Sequence, residues 1–241
     1  MSTQSRYLVT GGTSGIGRAV AEHLTQEGAF VWITGTSEAT LQAALADGVA
    51  SGGSLCDVAD RASVEEAFQD ATNLGLLDGV FANAGIDGRG LSATDVDEEH
   101  FRRVLDVNVV GIFSTASVAY HFTRRPASIV INASVNAMRP EPHFVDYNAS
   151  KAAAASIAQS LALEWSREEL AVIGLCPGYF PSRMTTPFLN DPETRQELLA
   201  RIPAARFGRP EEIGQTVAFL LSPAAAFLTG ALIPLAGASN V

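Results

Sequence analysis

The sequence predicts an α/β fold: a doubly wound parallel sheet of about seven strands with helices on both faces. Short apolar, β-prone runs alternate with longer helical patterns along the whole chain, as is typical of parallel sheets. The length of 241 residues suits one such domain, and no linker, repeat or low-complexity tract divides it. We therefore expect residues 1–241 to form a single domain.

The predicted strands are apolar runs bounded by glycine, proline or polar residues. They are Tyr7–Thr10, Phe30–Thr34, Gly53–Cys56, Gly79–Asn83, Ser128–Ser134, Ala171–Cys176 and Ala231–Leu235. Helical patterns lie between them, for example Ser63–Asn73, Glu98–His121 and Tyr147–Arg167. Ser63 and Glu66 have the spacing of a capping box, which predicts that one helix begins at Ser63.

Composition excludes several classes of protein. Apolar residues make up 47% of the chain and charged residues 17%, which allows a packed core without disulfide bonds. The formal net charge of −10 argues against a nucleic-acid partner, because phosphates require basic patches. There is no basic segment followed by an apolar core and no 18-residue apolar run, so we expect neither a signal peptide nor a membrane span.

The cysteines and histidines give two further expectations. Cys56 and Cys176 are the only cysteines, which indicates no disulfide framework and favours a reducing, cytoplasmic compartment. His23, His100 and His121 lie on helical stretches without the spacing of metal ligands, so we predict no metal site.

The N-terminal segment reads as a strand, a glycine-rich turn and a helix. The apolar run 7–9 precedes Gly11, Gly15 and Gly17, and a helical pattern follows. Glycines let the backbone approach a pyrophosphate closely, and a helix N-terminus offers free N–H groups and a positive dipole. This context favours nucleotide binding, although the gap between the first two glycines is wider than in the G-x-G-x-x-G pattern. The alternative is a tight strand–helix turn without a ligand.

A second pattern points to acid–base chemistry. Tyr147 and Lys151 are four residues apart and share one face of a helix, and Ser134 ends an apolar run upstream. A nearby positive charge favours the phenolate and lowers the pKa of a tyrosine. With a serine hydroxyl to hold the substrate oxygen, these groups could exchange a proton with a carbonyl or an alcohol. The alternative for the Tyr-x-x-x-Lys pair alone is a solvated helix face.

Together these motifs resemble the short-chain dehydrogenase/reductase family, and the resemblance covers essentially the whole chain. The matching segments, in chain order, are Thr10–Gly17 (T-G-x-x-x-G-x-G), Asn83-Ala84-Gly85, Asn108, Ser134, Tyr147, Lys151, Pro177-Gly178 and Arg209–Ile213. The resemblance implies a Rossmann-type fold, a nicotinamide dinucleotide cofactor and hydride transfer between a ketone and a secondary alcohol.

The resemblance also implies a catalytic role for four residues. Tyr147 would be the general acid–base, Lys151 would lower its pKa and bind the nicotinamide ribose, and Ser134 would orient the substrate oxygen. Asn108 would position a water near the lysine. Its alternative is a helix asparagine satisfied by the backbone.

The same resemblance implies a set of cofactor contacts. They are Gly11, Thr13, Ser14, Gly15, Ile16, Gly17, Gly35, Thr36, Ser37, Asp57, Val58, Asn83, Ala84, Gly85, Tyr147, Lys151, Pro177, Gly178 and Ser182. Asp57 would lie near the adenine amino group, with a helix N-cap or loop aspartate as the alternative. Asn83 would stabilise the central sheet beside the cofactor. Ser182 takes the place of a threonine that contacts the carboxamide, next to Pro181.

The end of the second strand bears on the choice between NAD(H) and NADP(H). An acid there binds the ribose 2′-OH, whereas an arginine accommodates a 2′-phosphate. Gly35 and Thr36 occupy these places, so the chain has neither selective group. Because no carboxylate repels a phosphate and Thr36 and Ser37 offer hydroxyls, the sequence favours NADP(H) slightly over NAD(H).

Segment 179–203 is the least regular and follows a strand end, where ligands bind in such sheets. We expect a mobile lid over the substrate there, with a packed helix–loop as the alternative. Candidates for an apolar substrate pocket, for which core packing is the alternative, are His143, Phe144, Tyr179, Phe180, Met184 and Phe188.

The sequence therefore predicts an NAD(P)(H)-dependent oxidoreductase acting on a small carbonyl or alcohol, with no nucleic-acid or membrane partner. Two alternatives remain: a catalytically silent nucleotide-binding regulator on the same fold, and an epimerase or dehydratase that recycles its cofactor. The long helical stretches 98–121 and 147–167 are rich in small apolar residues, and enzymes of this type commonly pair them across a two-fold axis. A homodimer or homotetramer is therefore expected, unless both faces are covered within one subunit.

Overall fold

The architecture is that of a computed structural model, which describes residues 4–181 and 191–241. Seven parallel strands form one sheet in the order β3-β2-β1-β4-β5-β6-β7. Their bounds are Arg6–Val9 (β1), Phe30–Gly35 (β2), Gly52–Leu55 (β3), Leu77–Ala82 (β4), Thr123–Asn132 (β5), Leu170–Pro177 (β6) and Leu232–Leu235 (β7). Each predicted strand overlaps one of these, so the predicted doubly wound α/β fold is confirmed.

Helices connect the strands and cover both faces of the sheet. Their bounds are Gly15–Gln26 (α1), Glu38–Ala46 (α2), Arg61–Thr72 (α3), Glu98–Leu105 (α4), Gly111–Phe122 (α5), Val145–Trp165 (α6), Pro192–Ala200 (α7) and Pro210–Leu221 (α8). Short 3₁₀ turns cover Val135–Ala137, Ser166–Glu168 and Pro223–Leu228. Within the described ranges, no helix is both long enough and apolar enough to cross a bilayer.

The apolar core lies in two layers, one on each face of the sheet. One layer packs α3, α5 and α6 against the strands around Phe68 and Ile129. The other packs α1, α2 and α8 around Ile33 and Val217. The central strands β4, β5 and β6 are largely buried and read as nearly continuous apolar runs, which is why their positions were visible in the sequence.

The capping-box prediction at Ser63 is wrong. Helix α3 begins at Arg61, and its N-cap is Asp60, whose carboxylate accepts the N–H of Ala62 at 3.0 Å. The Ser63 hydroxyl instead accepts the N–H of Asp57 at 3.2 Å. An aspartate is as good an N-cap as a serine, so Asp60, which comes first in the chain, caps the helix.

The predicted helix 98–121 is divided into α4 and α5 by one π-helical segment, Asp106–Val110. Gly111 follows this segment, and a Cβ there would lie 2.6 Å from Cγ2 of Val58. The wide turn contains Asn108, which is fully buried. Such π turns inside helices are frequent at functional sites.

The order of the strands determines where a ligand can bind. Strand β1 pairs with β2 on one side and β4 on the other, so the connections change direction between β1 and β4. In open α/β sheets the crevice beyond the carboxyl ends of the strands at this point receives the ligand.

Candidate active site

The turn after β1 is built so that its backbone is exposed to the crevice. Gly11 and Gly15 have φ of 66° and 55°, a left-handed conformation that favours glycine. A Cβ on Gly17 would lie 2.3 Å from the carbonyl oxygen of Gly11, so only glycine allows this packing of α1 on the turn. Ser14 is the N-cap of α1 but makes no side-chain capping bond, and the first turn of the helix carries no acidic residue. The start of α1 therefore suits an anionic group.

Asn83 connects three strands next to this turn. Its amide nitrogen donates to the carbonyl oxygens of Thr10 at 2.9 Å and Gly11 at 3.3 Å, and its amide oxygen accepts from Asn132 at 2.8 Å. The Thr10 hydroxyl in turn accepts the N–H groups of Asn83 and Ala84. These bonds hold the turn after β1 against the ends of β4 and β5.

The far end of the crevice carries an ion pair that the sequence analysis missed. Asp57 accepts the N–H of Ala59 with one carboxylate oxygen, and its other oxygen lies 3.1 Å from the guanidinium of Arg103 on α4. Asp57 is thus a loop aspartate with two partners and does not cap a helix. Arg103 and Val107 both line the crevice.

The catalytic candidates lie together on the opposite side of the crevice. Lys151 is 4% exposed, and its ammonium donates to the carbonyl oxygen of Asn132 at 2.9 Å and lies 5.5 Å from the ring centre of Tyr147. Ser134 follows β5 as the N-cap of a 3₁₀ turn, and its hydroxyl accepts the N–H of Asn136. Strand β5 and helix α6 therefore bring these three side chains to one place.

Asn108 is buried behind Ser134, Tyr147 and Lys151 and supports them through hydrogen bonds. Its amide oxygen accepts the N–H of Ile86 at 2.8 Å, and its amide nitrogen donates to the carbonyl oxygen of Ile86 and to the Ser150 hydroxyl. It is thus satisfied by the backbone of another loop and not by its own helix. This bonding clamps the loop after β4 to the helix that carries Tyr147.

Burial controls the protonation of the pair. It raises the pKa of Tyr147 well above its ordinary value, Asp87 and Glu141 act in the same direction, and hydrogen bonding to Ser134 opposes them. Burial also lowers the pKa of Lys151 to about 8, against the effects of Asp87 and Cys176. The sequence suggested that Lys151 lowers the pKa of Tyr147. In this structure desolvation dominates instead, so the phenol is protonated at neutral pH.

These residues surround one cavity of about 430 Å³. Most predicted contacts line it: Gly11, Thr13, Ser14, Gly15, Ile16, Gly17, Gly35, Thr36, Asp57, Val58, Asn83, Ala84, Gly85, Ser134, Tyr147, Lys151, Pro177 and Gly178. Ser37, an exposed N-cap of α2, and Asn108, buried behind the wall, do not line it. Ser182 lies outside the described residues.

Some residues around the cavity were not predicted: Cys56, Ile86, Arg103, Val107, Asn132 and Ala133. Three of these, Cys56, Ile86 and Ala133, adjoin a predicted residue near a strand end, and Asn132 ends β5, so the ends of the strands would have indicated them. Val107 adjoins the predicted Asn108. Arg103 had no local signal, because α4 reaches the cavity only through tertiary packing.

The residues predicted to line a substrate pocket do not all lie in the described part of the chain. Met184 and Phe188 lie outside the described residues, as do residues 182–190 of the predicted lid, whose later part contains helix α7. Tyr179 and Phe180 line a second cavity of about 80 Å³. The Tyr179 hydroxyl donates to Glu141, which also lies 3.7 Å from Arg201. This link joins the end of α7 to the loop that precedes Tyr147.

Neither a metal site nor a disulfide bond is found in the part of the chain that the structure describes. No group of three or more metal-ligating side chains occurs among these residues, and Cys56 and Cys176 are both buried and unpaired.

Comparison with known proteins places this geometry in context. The family model described as enoyl-(acyl carrier protein) reductase matches residues 11–237. The chain is 34% identical over 244 residues to 4-formylbenzenesulfonate dehydrogenase of Comamonas testosteroni, covering 97% of both chains. It superimposes on actinorhodin polyketide ketoreductase, crystallised with NADPH, with a TM-score of 0.92 at 28% identity, covering 100% of this chain and 99% of that one. A 3-ketoacyl-(acyl-carrier-protein) reductase from Brucella melitensis, complexed with NADH, gives a TM-score of 0.89 at 27% identity over 98% of each chain.

Proposed function

This chain belongs to the short-chain dehydrogenase/reductase family, and on that premise we propose that it interconverts a ketone and a secondary alcohol with a nicotinamide dinucleotide as hydride carrier. One observation supports the proposal above all. A protonated tyrosine, a serine hydroxyl and a buried lysine meet in the cavity that also contains the glycine turn. The uncapped start of α1 and the exposed backbone of the turn fit the pyrophosphate of such a cofactor.

In the reductive direction, Tyr147 supplies the proton. The cofactor, when bound, provides the hydride that reaches the carbonyl carbon. Burial keeps the phenol protonated at neutral pH, so Tyr147 donates to the carbonyl oxygen as its negative charge develops. The Ser134 hydroxyl orients that oxygen. The products are the alcohol and a phenolate.

Lys151 offsets the charge left on Tyr147. With a pKa near 8, the ammonium is mostly protonated at neutral pH, and Asn132 fixes its position. A positive charge beside the phenolate stabilises it. Asn108 keeps the loop after β4 in place through Ile86, and its further role in a proton path stays a prediction.

A substrate screen tests the proposed function. Purified protein is titrated with NADPH and NADH, and a panel of ketones and secondary alcohols is followed by absorbance of the reduced cofactor. We expect cofactor oxidation with at least one ketone and none with the Tyr147→Phe variant. Cofactor binding without any turnover would support the silent regulator. Product formed without net cofactor oxidation would support a cofactor-recycling epimerase or dehydratase.

We propose a modest preference for NADP(H). No carboxylate occupies position 35, and Ser37 leaves the start of α2 without a side-chain cap, so its N–H groups and the Thr36 hydroxyl suit a phosphate. Glu38 in the first turn of α2 opposes that charge, which limits the preference. Relatives of known structure contain either NADPH or NADH, so the family alone does not decide it. Dissociation constants for the two reduced cofactors, measured on the same preparation, test this directly.

We also propose that the protein is a homodimer or homotetramer in a reducing, cytoplasmic setting. Exposed apolar side chains occur on both helices: Val110 immediately before α5, Phe113 within α5, and Leu163 on α6. Apolar side chains on these two helices suit an isologous contact. The two unpaired cysteines agree with a reducing compartment. Light scattering after size exclusion should give two or four times 25.3 kDa, and a mass near the single value would contradict the assembly.

A further inference from the structure

A buried carboxylate lies directly behind the proposed catalytic tyrosine. Asp146 is the second residue of α6 and is 0% exposed. Its Oδ1 accepts the backbone N–H of Tyr147 at 2.8 Å. The main chain of the loop after β4 packs onto the same atom, since a Cβ on Gly88 would lie 2.4 Å from Oδ1. The carboxylate thus contacts the two segments that bound the active site.

The second carboxylate oxygen faces His100. Oδ2 of Asp146 lies 3.5 Å from Nε2 of His100 on α4, at the outer limit of a hydrogen bond. Within the described part of the chain, neither of these two buried atoms has any hydrogen-bond partner. A buried carboxylate oxygen without a donor is costly, whereas an imidazole N–H at this position would satisfy both atoms.

The geometry points to His100 as a positioning residue: its Nε2 carries a proton and donates it to Asp146, and that carboxylate fixes the backbone of Tyr147. Both the neutral Nε2–H tautomer and the imidazolium place a proton on this nitrogen. The chain of contacts runs from α4 through Asp146 to the first turn of α6. The inference rests on the proposed function, in which Tyr147 must be held within hydrogen-bonding distance of the substrate oxygen.

The chain offers a matched control for this pair. His23 on α1 faces Glu27 with 3.3 Å between Nε2 and Oε1, and its side chain is 19% exposed, compared with 18% for His100. The two histidines therefore have similar exposure and a carboxylate oxygen at a similar distance. Glu27, however, is an exposed residue after the end of α1, whereas Asp146 is a buried residue of α6 itself.

The first experiment determines whether Nε2 of His100 carries a proton in the unaltered protein. The full chain, labelled with ¹⁵N-histidine, is examined by long-range ¹H–¹⁵N correlation, and the His100 signals are assigned by their loss in His100→Gln. We expect the pattern of a protonated Nε2. A His100 signal with a bare Nε2 and the proton on Nδ1 would overturn the inference, whether or not the protein proves to be a ketoreductase.

The second experiment tests the positioning role. His100→Phe keeps a ring without a donor and should lower kcat at least about tenfold with little change in the cofactor Kd, because small misplacements of reacting groups are costly. His100→Gln, whose amide can donate from a similar place, should recover most of the lost kcat. His23→Phe should leave kcat unchanged.

The outcomes separate this inference from the proposed function. A wild type that turns over no carbonyl refutes the function, while the NMR result still decides the pair. An active wild type with a normal His100→Phe variant, or a His100→Gln variant no better than His100→Phe, refutes the positioning role. If His100→Phe does not fold, as judged by circular dichroism, the glutamine variant and the NMR result decide.

Discussion

The two sides of the large cavity use different chemistry. The nucleotide wall, formed by residues 10–17, 35–36 and 83–85, consists mainly of backbone and small side chains. The proposed catalytic wall, formed by Ser134, Tyr147 and Lys151 with Asn108 buried behind it, consists of functional groups held by hydrogen bonds. The first wall depends on the absence of side chains, as Gly17 illustrates, and the second on the presence of particular atoms. Adding atoms should therefore damage the nucleotide wall, and removing atoms should damage the catalytic wall.

The largest effect is expected from removing one oxygen from the catalytic wall. Tyr147→Phe should lower kcat by about 10²–10⁴-fold, the usual contribution of general acid–base catalysis, with the cofactor Kd nearly unchanged. Steady-state kinetics and fluorescence titration with NADPH measure the two quantities. A near-normal kcat would show that the proton comes from another group.

The buried lysine should leave a signature in stability against pH. Its pKa falls from 10.5 in the unfolded chain to about 8, so between these pH values the unfolded state binds more protons and the free energy of unfolding rises with pH. The difference in pKa corresponds to about 3 kcal/mol. Between about pH 8 and 10.5, the free energy of unfolding of the wild type should therefore rise by up to about 3 kcal/mol relative to that of Lys151→Met.

Urea denaturation of both proteins across this range measures the gain. The comparison cancels the titration of groups that the two proteins share. At pH values above the ordinary pKa of tyrosine, Tyr147 lowers the free energy of unfolding of both proteins as the pH rises. The reason is that its raised pKa makes the folded state bind more protons than the unfolded state. A constant difference between the two proteins would show that Lys151 titrates normally.

Adding one methyl group should disrupt the nucleotide wall. Gly17→Ala places a Cβ 2.3 Å from the Gly11 oxygen and 2.5 Å from the Asn83 amide nitrogen, so the turn must move. Such overpacking costs about 1–3 kcal/mol, and the cofactor Kd should rise by about tenfold or more. Gly48→Ala is the control: its φ of 72° means that the alanine strains the backbone, but a Cβ there has no atom within 4 Å to clash with. An equal loss of cofactor affinity in both variants would contradict the role of the turn.

The smallest effect concerns the choice of cofactor. Gly35→Asp should shift the preference to NADH, because a carboxylate accepts from a ribose 2′-OH and repels a 2′-phosphate. A Cβ at this position lies 2.7 Å from Cγ2 of Thr13, so the substitution is best made with Thr13→Ala, and Thr13→Ala alone is the control. We expect the ratio of the two Kd values to change about tenfold, or about 1.4 kcal/mol. A double variant that still prefers NADPH would place the ribose elsewhere.

The two walls also differ in how well the sequence predicted them. The nucleotide wall follows from local patterns, because a strand, a glycine turn and a helix start are adjacent in the chain. Ser134, Tyr147 and Lys151 lie together as the sequence predicted, and their catalytic role stays a prediction, but the sequence did not predict that the pKa of Tyr147 is raised. Tyr147 has a raised pKa because elements distant in sequence bury it and because Asp87 and Glu141 face it.

By itself, the sequence determined the alternation of strands and helices, the positions of the motifs at the strand ends and the family resemblance. These depend on periodicity and on residues close together in the chain. Tertiary structure alone decided the π turn at Asn108 and the contacts between distant residues. Arg103 reaches Asp57, and His100 reaches Asp146, each across 46 positions of sequence. Such pairs depend on how α4 packs against the ends of the sheet and against α6, and no local pattern of residue types encodes that packing.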